Sequence, residues 1–183
     1  MIQRKEYLDN LIALKDKQVI KVITGVRRCG KSTLFELYIE HLKQTGVEDN
    51  QIISVNLEEL ENADLLDYKA LYNYITSKLV PDKNNYIFID EVQKCSEFEK
   101  VVDSLFIKKN CDVYITGSNA LLLSADLATL FTGRYIELHV FPFSFKEFCE
   151  YNSDITDIDT LFDNYLIKGG FAGSYAYRTE LDR

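Results

Sequence analysis

Apolar and polar positions change period repeatedly along this chain. Val19-Ile20-Lys21-Val22-Ile23-Thr24 is a short β-branched run ending at Gly25, which predicts a buried strand. Leu34, Leu37, Tyr38 and Leu42 then recur at helical spacing, and Gly46 follows where a helix would stop. Residues 51–55 predict a second strand. After a polar, acidic segment, Leu71, Tyr74, Ile75 and Leu79 mark a helix ending before Pro81. Tyr86-Ile87-Phe88-Ile89 is a third strand running into Asp90, and Phe98, Val101, Val102, Leu105 and Phe106 form the cleanest helical stripe in the chain. Residues 112–116 and 135–140 predict a fourth and a fifth strand, with a helical or irregular stretch at 121–130 between them. Ser144-x-x-Glu147 predicts a capping box opening a short helix with Phe145, Phe148 and Cys149 on one side. Ile158, Leu161, Phe162, Tyr165 and Leu166 predict a last helix closed by Gly169-Gly170, and Tyr7, Leu8, Leu11 and Ile12 a packing helix at the start. Strands alternating with helices predict an α/β fold, a mainly parallel sheet covered on both faces. The expected layout is a core over residues 1–150 and a helical segment over 151–183.

Composition narrows the partners. The net charge of −8 argues against broad attraction to nucleic acid or anionic membranes, so direct nucleic-acid binding is not expected. No apolar run approaches the roughly 18 residues of a spanning helix, and the polar start, Met1-Ile2-Gln3-Arg4-Lys5-Glu6, lacks a signal-peptide core. Cys29, Cys95, Cys111 and Cys149 stand singly, with neither metal-knuckle nor disulfide-framework spacing. They read as reduced thiols in a cytoplasmic protein.

Gly25-Val26-Arg27-Arg28-Cys29-Gly30-Lys31-Ser32 matches G-x-x-x-x-G-K-[ST] at every fixed position, after a strand and before a helix. Glycines let such a loop curl until successive backbone N–H groups converge on phosphate oxygens, and the helix dipole reinforces them. Lys31 is expected to reach the β- and γ-phosphates and the Ser32 hydroxyl to ligate Mg²⁺. Thr33 closes the nucleotide-binding stretch, packing in the first helical turn without a chemical step. Arg27 and Arg28 occupy variable positions and read as solvated, and Cys29 as inert filler.

Tyr86-Ile87-Phe88-Ile89-Asp90-Glu91 supplies a second anchor. Asp90 would hold Mg²⁺ through water, and Glu91 would orient and deprotonate an attacking water. Neighbouring strand residues face opposite ways, so a strand end is needed to bring both acids to one site. The glutamate, with no Asn-Lys-x-Asp guanine-reading motif, favours ATP over GTP. At the end of the fourth strand, Thr116-Gly117-Ser118-Asn119 offers a polar sensor of the γ-phosphate. Ser118 is the first choice, and Thr116 and Asn119 are alternatives. Arg134, just before the fifth strand, could reach a neighbouring subunit's pocket and would imply a homo-oligomer; a surface ion pair is the competing reading. His41 and His139 read as structural. Residues 4–8 could edge a base pocket, although a packing helix accounts for them better.

Gly-Val-Arg-Arg-Cys-Gly-Lys-Ser at 25–32, Phe-Ile-Asp-Glu-Val-Gln-Lys at 88–94, Ile-Thr-Gly-Ser-Asn at 115–119, Thr-Gly-Arg-Tyr-Ile-Glu-Leu at 132–138 and Phe-Pro-Phe-Ser-Phe-Lys-Glu-Phe at 141–148 occur in a familiar order. Together they resemble the AAA+ ATPases of the AAA_14 type, which usually carry a C-terminal DUF4143 domain. The resemblance implies a P-loop NTPase of the ASCE class, a three-layer sandwich with sheet order 5-1-4-3-2. It also implies ATP and Mg²⁺ as ligands, Ser118 or a neighbour as first sensor, and Arg134 in an arginine-finger-like position. It further implies that the C-terminal domain is missing from this chain, together with any lid arginine. The expected activity is ATP binding and hydrolysis that couples nucleotide state to a partner domain or subunit. The alternative is a regulatory or DNA-associated scaffold module that binds nucleotide and turns over little.

Overall fold

Each of the five apolar runs becomes a strand of one parallel sheet in the computed structural model, which describes residues 2–117, 131, 133–171 and 173. The strands are β1 (Ile20–Thr24), β2 (Ile52–Asn56), β3 (Asn85–Asp90), β4 (Cys111–Thr116) and β5 (Tyr135–His139), in the order 2-3-4-1-5. Read from the other edge, this is the expected 5-1-4-3-2. β3 and β4 are buried along their whole length, as strands covered on both faces must be, and the edge strands β2 and β5 are partly exposed.

Side-chain alternation divides the core into two halves. Ile20, Val22, Ile53, Val55, Ile87, Ile89, Val113 and Ile115 face one side. There they meet Leu71 and Ile75 of α3 (Tyr68–Ser77) and the Phe98, Val101, Val102, Leu105 stripe of α4 (Phe98–Phe106). Ile23, Tyr86, Phe88 and Tyr114 face the other side, against Leu11 of α1 (Lys5–Ala13) and Leu34, Phe35, Tyr38 and Leu42 of α2 (Lys31–Gln44). The result is helix, sheet and helix in three layers, with period 2 in the strands meeting period 3.6 in the helices. None of the helices among the described residues is long and apolar enough to cross a membrane.

Three local expectations shift. α3 closes at Ser77, so Leu79 packs on the core from beyond the helix. The acidic segment after β2 winds into a 3-10 turn, Leu60–Leu66, with Leu65 against the core. Within the otherwise apolar run of β1, Lys21 is a buried cation. Its ammonium pairs with the Asp112 carboxylate and donates to the Lys17 carbonyl at 2.7 Å. Asp112 also accepts from the Tyr114 hydroxyl at 2.8 Å and the Asp16 amide at 2.9 Å. A buried ion pair survives because the remaining lone pairs and protons find partners.

After β5 the chain turns across the sheet edge and enters α5 (Phe145–Tyr151), then α6 (Ile158–Lys168). The capping box forms as expected: the Glu147 amide donates to Ser144 Oγ at 3.3 Å, and the Ser144 amide to Glu147 Oε2 at 2.8 Å. α6 ends at Gly169, which has φ 71°. The expected element at 121–130 lies outside the described residues.

Candidate functional site

β1 delivers Thr24 and then Gly25 to the end of the sheet where parallel strands finish, the usual side for ligands in open α/β sheets. Gly25 adopts φ 144°, and a Cβ there would sit 2.3 Å from the Val140 carbonyl oxygen, so no larger residue fits. Gly30, at φ 99°, is the residue before α2 and brings no side chain to cap it. No side chain therefore caps the first N–H groups of α2. Arg28 takes a positive φ of 66°, completing the curl. Lys31 is buried, and its ammonium donates to the carbonyls of Gly25 at 3.1 Å and Val26 at 3.2 Å.

The acidic pair comes from the end of β3, two strands away from β1. Asp90 is the last strand residue, and Glu91 turns into the left-handed region at φ 53°, ψ 48°. That turn takes Glu91 out of the strand's alternation, and its side chain lines the cleft while Asp90 stays buried and does not line it. Thr116, at the end of the intervening β4, joins them. Its hydroxyl donates to Asp90 Oδ1 and accepts the Glu91 amide at 3.1 Å. The Glu91 carboxylate accepts from Gln93 Nε2 and lies 4.0 Å from the Lys31 ammonium. The two motifs, far apart in sequence, thus meet across a cleft of about 440 Å³ lined by Arg27, Arg28, Lys31, Ser32, Glu58 and Glu91.

The remaining predicted residues separate. Ser32 is exposed and Thr33 half-buried in the first turn of α2. Val26, Arg27 and Arg28 are exposed, and Arg27 pairs with Glu58 at 2.6 Å. Cys29 is buried, and burial pushes its thiol pKa up despite Lys31 and Arg4 nearby, which fits an inert residue. Ser118 and Asn119 lie outside the described residues. Arg134 sits at the opposite end of the sheet from the loop: its carbonyl accepts the Ile20 amide at 2.8 Å, at the start of β1. The five residues of β1 put it on the order of 17 Å from Gly25. Its guanidinium pairs with Asp103 of α4 at 3.1 Å.

Reading the sequence alone missed three neighbours of the site. Glu58 lacks any motif of its own, and Gln93 stands inside the 88–94 stretch with no role assigned to it. The sequence offers Arg4 only as part of a packing helix or an edge of a base pocket. α1 does pack through Leu11, yet Arg4 lines a second cleft of about 640 Å³ with Tyr7, Phe143 and Glu147. His139 also gains a partner, its Nδ1 lying 3.0 Å from the Thr24 hydroxyl.

Comparison with known proteins matches this arrangement. The AAA domain profile AAA_14 covers residues 17–149. An uncharacterised protein of Haemophilus influenzae is 41% identical over 175 residues, spanning 93% of this chain and 44% of its own length. Another, from Methanocaldococcus jannaschii, is 34% identical over 139 residues, 73% of this chain and 29% of its own. The chain thus spans less than half the length of these curated relatives. Among solved structures, AMPPCP-bound DnaA from Aquifex aeolicus superposes with a TM-score of 0.63 at 15% identity, covering 93% of this chain and 57% of that one. The Aeropyrum pernix ORC1 protein in complex with DNA gives 0.53 at 13% identity, covering 90% and 50%. These two likenesses concern the fold, whereas the profile and the relatives carry the family. With its phosphate-type loop, its acidic strand end and its sheet order, the chain belongs to the AAA_14 family of AAA domains.

Proposed function

We propose that this chain binds ATP with Mg²⁺ at the loop of residues 25–32 and hydrolyses the terminal phosphoanhydride, changing a contact with a partner domain or subunit. The observation carrying this reading is the Thr116 clasp, which holds Asp90 and Glu91 together while the Glu91 carboxylate faces Lys31 across the cleft. The curled loop and the uncapped start of α2 suit the phosphates. Lys31 would give up its loop carbonyls for phosphate oxygens, and Glu91 would take the proton from an attacking water.

The donor chemistry fits Mg²⁺. Asp90 and Ser32 offer hard oxygen ligands. Among the described residues no three of His, Cys, Asp and Glu gather into a metal cage, so phosphate and water would complete the shell, as is usual for this ion. When bound, the ion would offset the phosphate charge.

Calorimetric MgATP binding and steady-state phosphate release test the reading on wild type, Lys31→Ala and Glu91→Gln. Wild type should bind and turn over, Lys31→Ala should lose binding, and Glu91→Gln should bind while losing at least ~100-fold in turnover. Absence of MgATP binding by the wild type would sink it. A second reading, a nucleotide-binding module with little turnover alone, draws support from Arg134. That side chain is at the far end of the sheet and engaged with Asp103, so any finger role requires a second copy. The core of residues 1–150 would then answer to the helical segment from 151 onward or to a domain beyond it.

A further inference from the structure

Arg4 is the most heavily engaged side chain near the loop that the chemistry above leaves without a task. Its side chain is 2% exposed, and its backbone is held at φ 45°, in the left-handed region. Nη1 donates to the Cys29 carbonyl within the phosphate loop at 2.8 Å. Nη2 donates to the Phe141 carbonyl at 2.7 Å, and Nε to Glu147 Oε1 at 2.9 Å. The guanidinium carbon lies 4.6 Å from the centre of the Tyr7 ring and 5.2 Å from that of Phe143. One planar fork therefore binds the loop, the strand exit and the cap of α5 at once, a role for which lysine lacks the geometry.

The strand exit is tied in turn to the end of α6. The Tyr165 hydroxyl donates to the Phe143 carbonyl at 2.8 Å, and the Phe143 amide donates to the Gly170 carbonyl at 2.7 Å. Contact there is tight, since a Cβ on Gly170 would stand 2.4 Å from the Phe143 oxygen. On the near side the same exit supports the loop directly through the Val140 carbonyl beneath Gly25. A continuous set of hydrogen bonds thus runs from Tyr165 and Gly170 through residues 141–147 and Arg4 to the carbonyl preceding Gly30.

We propose that Arg4 is a positioning residue, the latch through which the segment 141–171 sets the conformation of the phosphate loop. It couples the end of α6 to nucleotide affinity in both directions. The nucleotide half of this proposal rests on the function proposed above, whereas the structural half does not. Movement of α6 would pull on Phe143 and Glu147, and the guanidinium would carry that displacement to Cys29. Reciprocity then requires that a phosphate drawn into the loop restrain α6.

The test is a double-mutant cycle of Arg4→Lys and Tyr165→Phe in the full chain, with folding checked by circular dichroism. It is read by hydrogen exchange of the amides of residues 26–31 and by MgATP affinity. Tyr165→Phe removes one hydroxyl remote from the loop, and Arg4→Lys keeps charge and stem but breaks the fork. Each single change should speed loop exchange and weaken MgATP binding about fivefold, and the double should go little further than Arg4→Lys alone. Effects of Tyr165→Phe confined to 141–171, or effects that add fully in the double, would overturn the latch and leave the nucleotide reading standing. Coupled exchange in a chain that binds no MgATP would have the reverse meaning.

Discussion

The Thr116 hydroxyl donates to the Asp90 carboxylate from the neighbouring strand end, and the same oxygen accepts the Glu91 amide. Three adjacent strand ends thereby converge on one geometry: β1 brings the loop, β4 the hydroxyl and β3 the acids. Thr116 is fully buried, so this contact is shielded from competing water.

Thr116→Val keeps the shape of the side chain and removes both hydrogen bonds. Stability should fall by about 1–3 kcal/mol, because the Asp90 carboxylate and the Glu91 amide lose a buried partner. Turnover should fall about tenfold or more with MgATP affinity within about threefold, since the hydroxyl acts on the acids rather than on the loop. Denaturant unfolding and phosphate release measure the two effects separately. Unchanged turnover would remove Thr116 from the site.

Gly25→Ala should be among the most damaging changes of a single methyl group in the chain. The new Cβ would collide with the Val140 carbonyl, a backbone atom whose own amide is bonded to Thr24 at 2.8 Å and so cannot easily retreat. A loss of on the order of 2 kcal/mol or more is expected, with nucleotide affinity falling alongside. Gly46→Ala is the control. It has φ 95° but nothing within 4 Å of an added Cβ, so only backbone strain of about 1 kcal/mol should show in thermal unfolding.

Arg134→Ala separates a structural from a functional arginine. The Arg134–Asp103 pair is substantially exposed, and after allowance for solvent screening its removal should cost less than about 1 kcal/mol. If Arg134 completes a neighbour's site, wild-type turnover per chain should rise with protein concentration, and Arg134→Ala should abolish that rise. A variant that keeps wild-type turnover at every concentration would return Arg134 to the surface ion pairs.

Acid should release the latch. Burial works against the charge on Glu147, but the Ser144 amide and the Arg4 guanidinium outweigh it and hold this carboxyl below its ordinary value of 4.5. A depressed folded pKa means that the unfolded chain binds the proton first. The stabilisation is present in full above about pH 4.5 and is lost as the pH falls through the depressed value. Thermal midpoints followed downward from pH 6 should therefore drop more steeply in the wild type than in Glu147→Gln. Parallel curves would show that Glu147 contributes nothing to the acid limb.

The parts of this protein legible in its sequence are those governed by neighbours along the chain. Period 2 against period 3.6 placed the five strands and the flanking helices, and the wholly apolar character of 86–89 marked a strand covered on both faces. The Gly25–Ser32 loop and the Ser144–Glu147 capping box are local as well, because their hydrogen bonds and backbone angles close within a few residues. The Asp90-Glu91 pair was visible as a strand end. Its left-handed Glu91 was not, because a non-glycine residue takes that conformation only when surrounding contacts hold it there.

Tertiary structure alone decided which polar groups meet. Thr116 is one of the polar candidates in 116–119; the sheet order, which sets β4 between β1 and β3, brings its hydroxyl to Asp90, whereas Ser118 and Asn119 lie outside the described residues. Lys21 looked like one polar letter in a strand until Asp112 was brought beside it from β4. Arg134 reads in the sequence either as a finger for a neighbouring subunit or as a surface ion pair, and parallel pairing of β5 with β1 sends it to the end of the sheet opposite the chain's own loop, beside Asp103. Arg4 finds partners 25, 137 and 143 residues away, distances at which no periodicity carries information. Periodicity reports the solvent that each side chain avoids. The pairing of buried charges depends on which surfaces folding presses together, and only the packed chain specifies that.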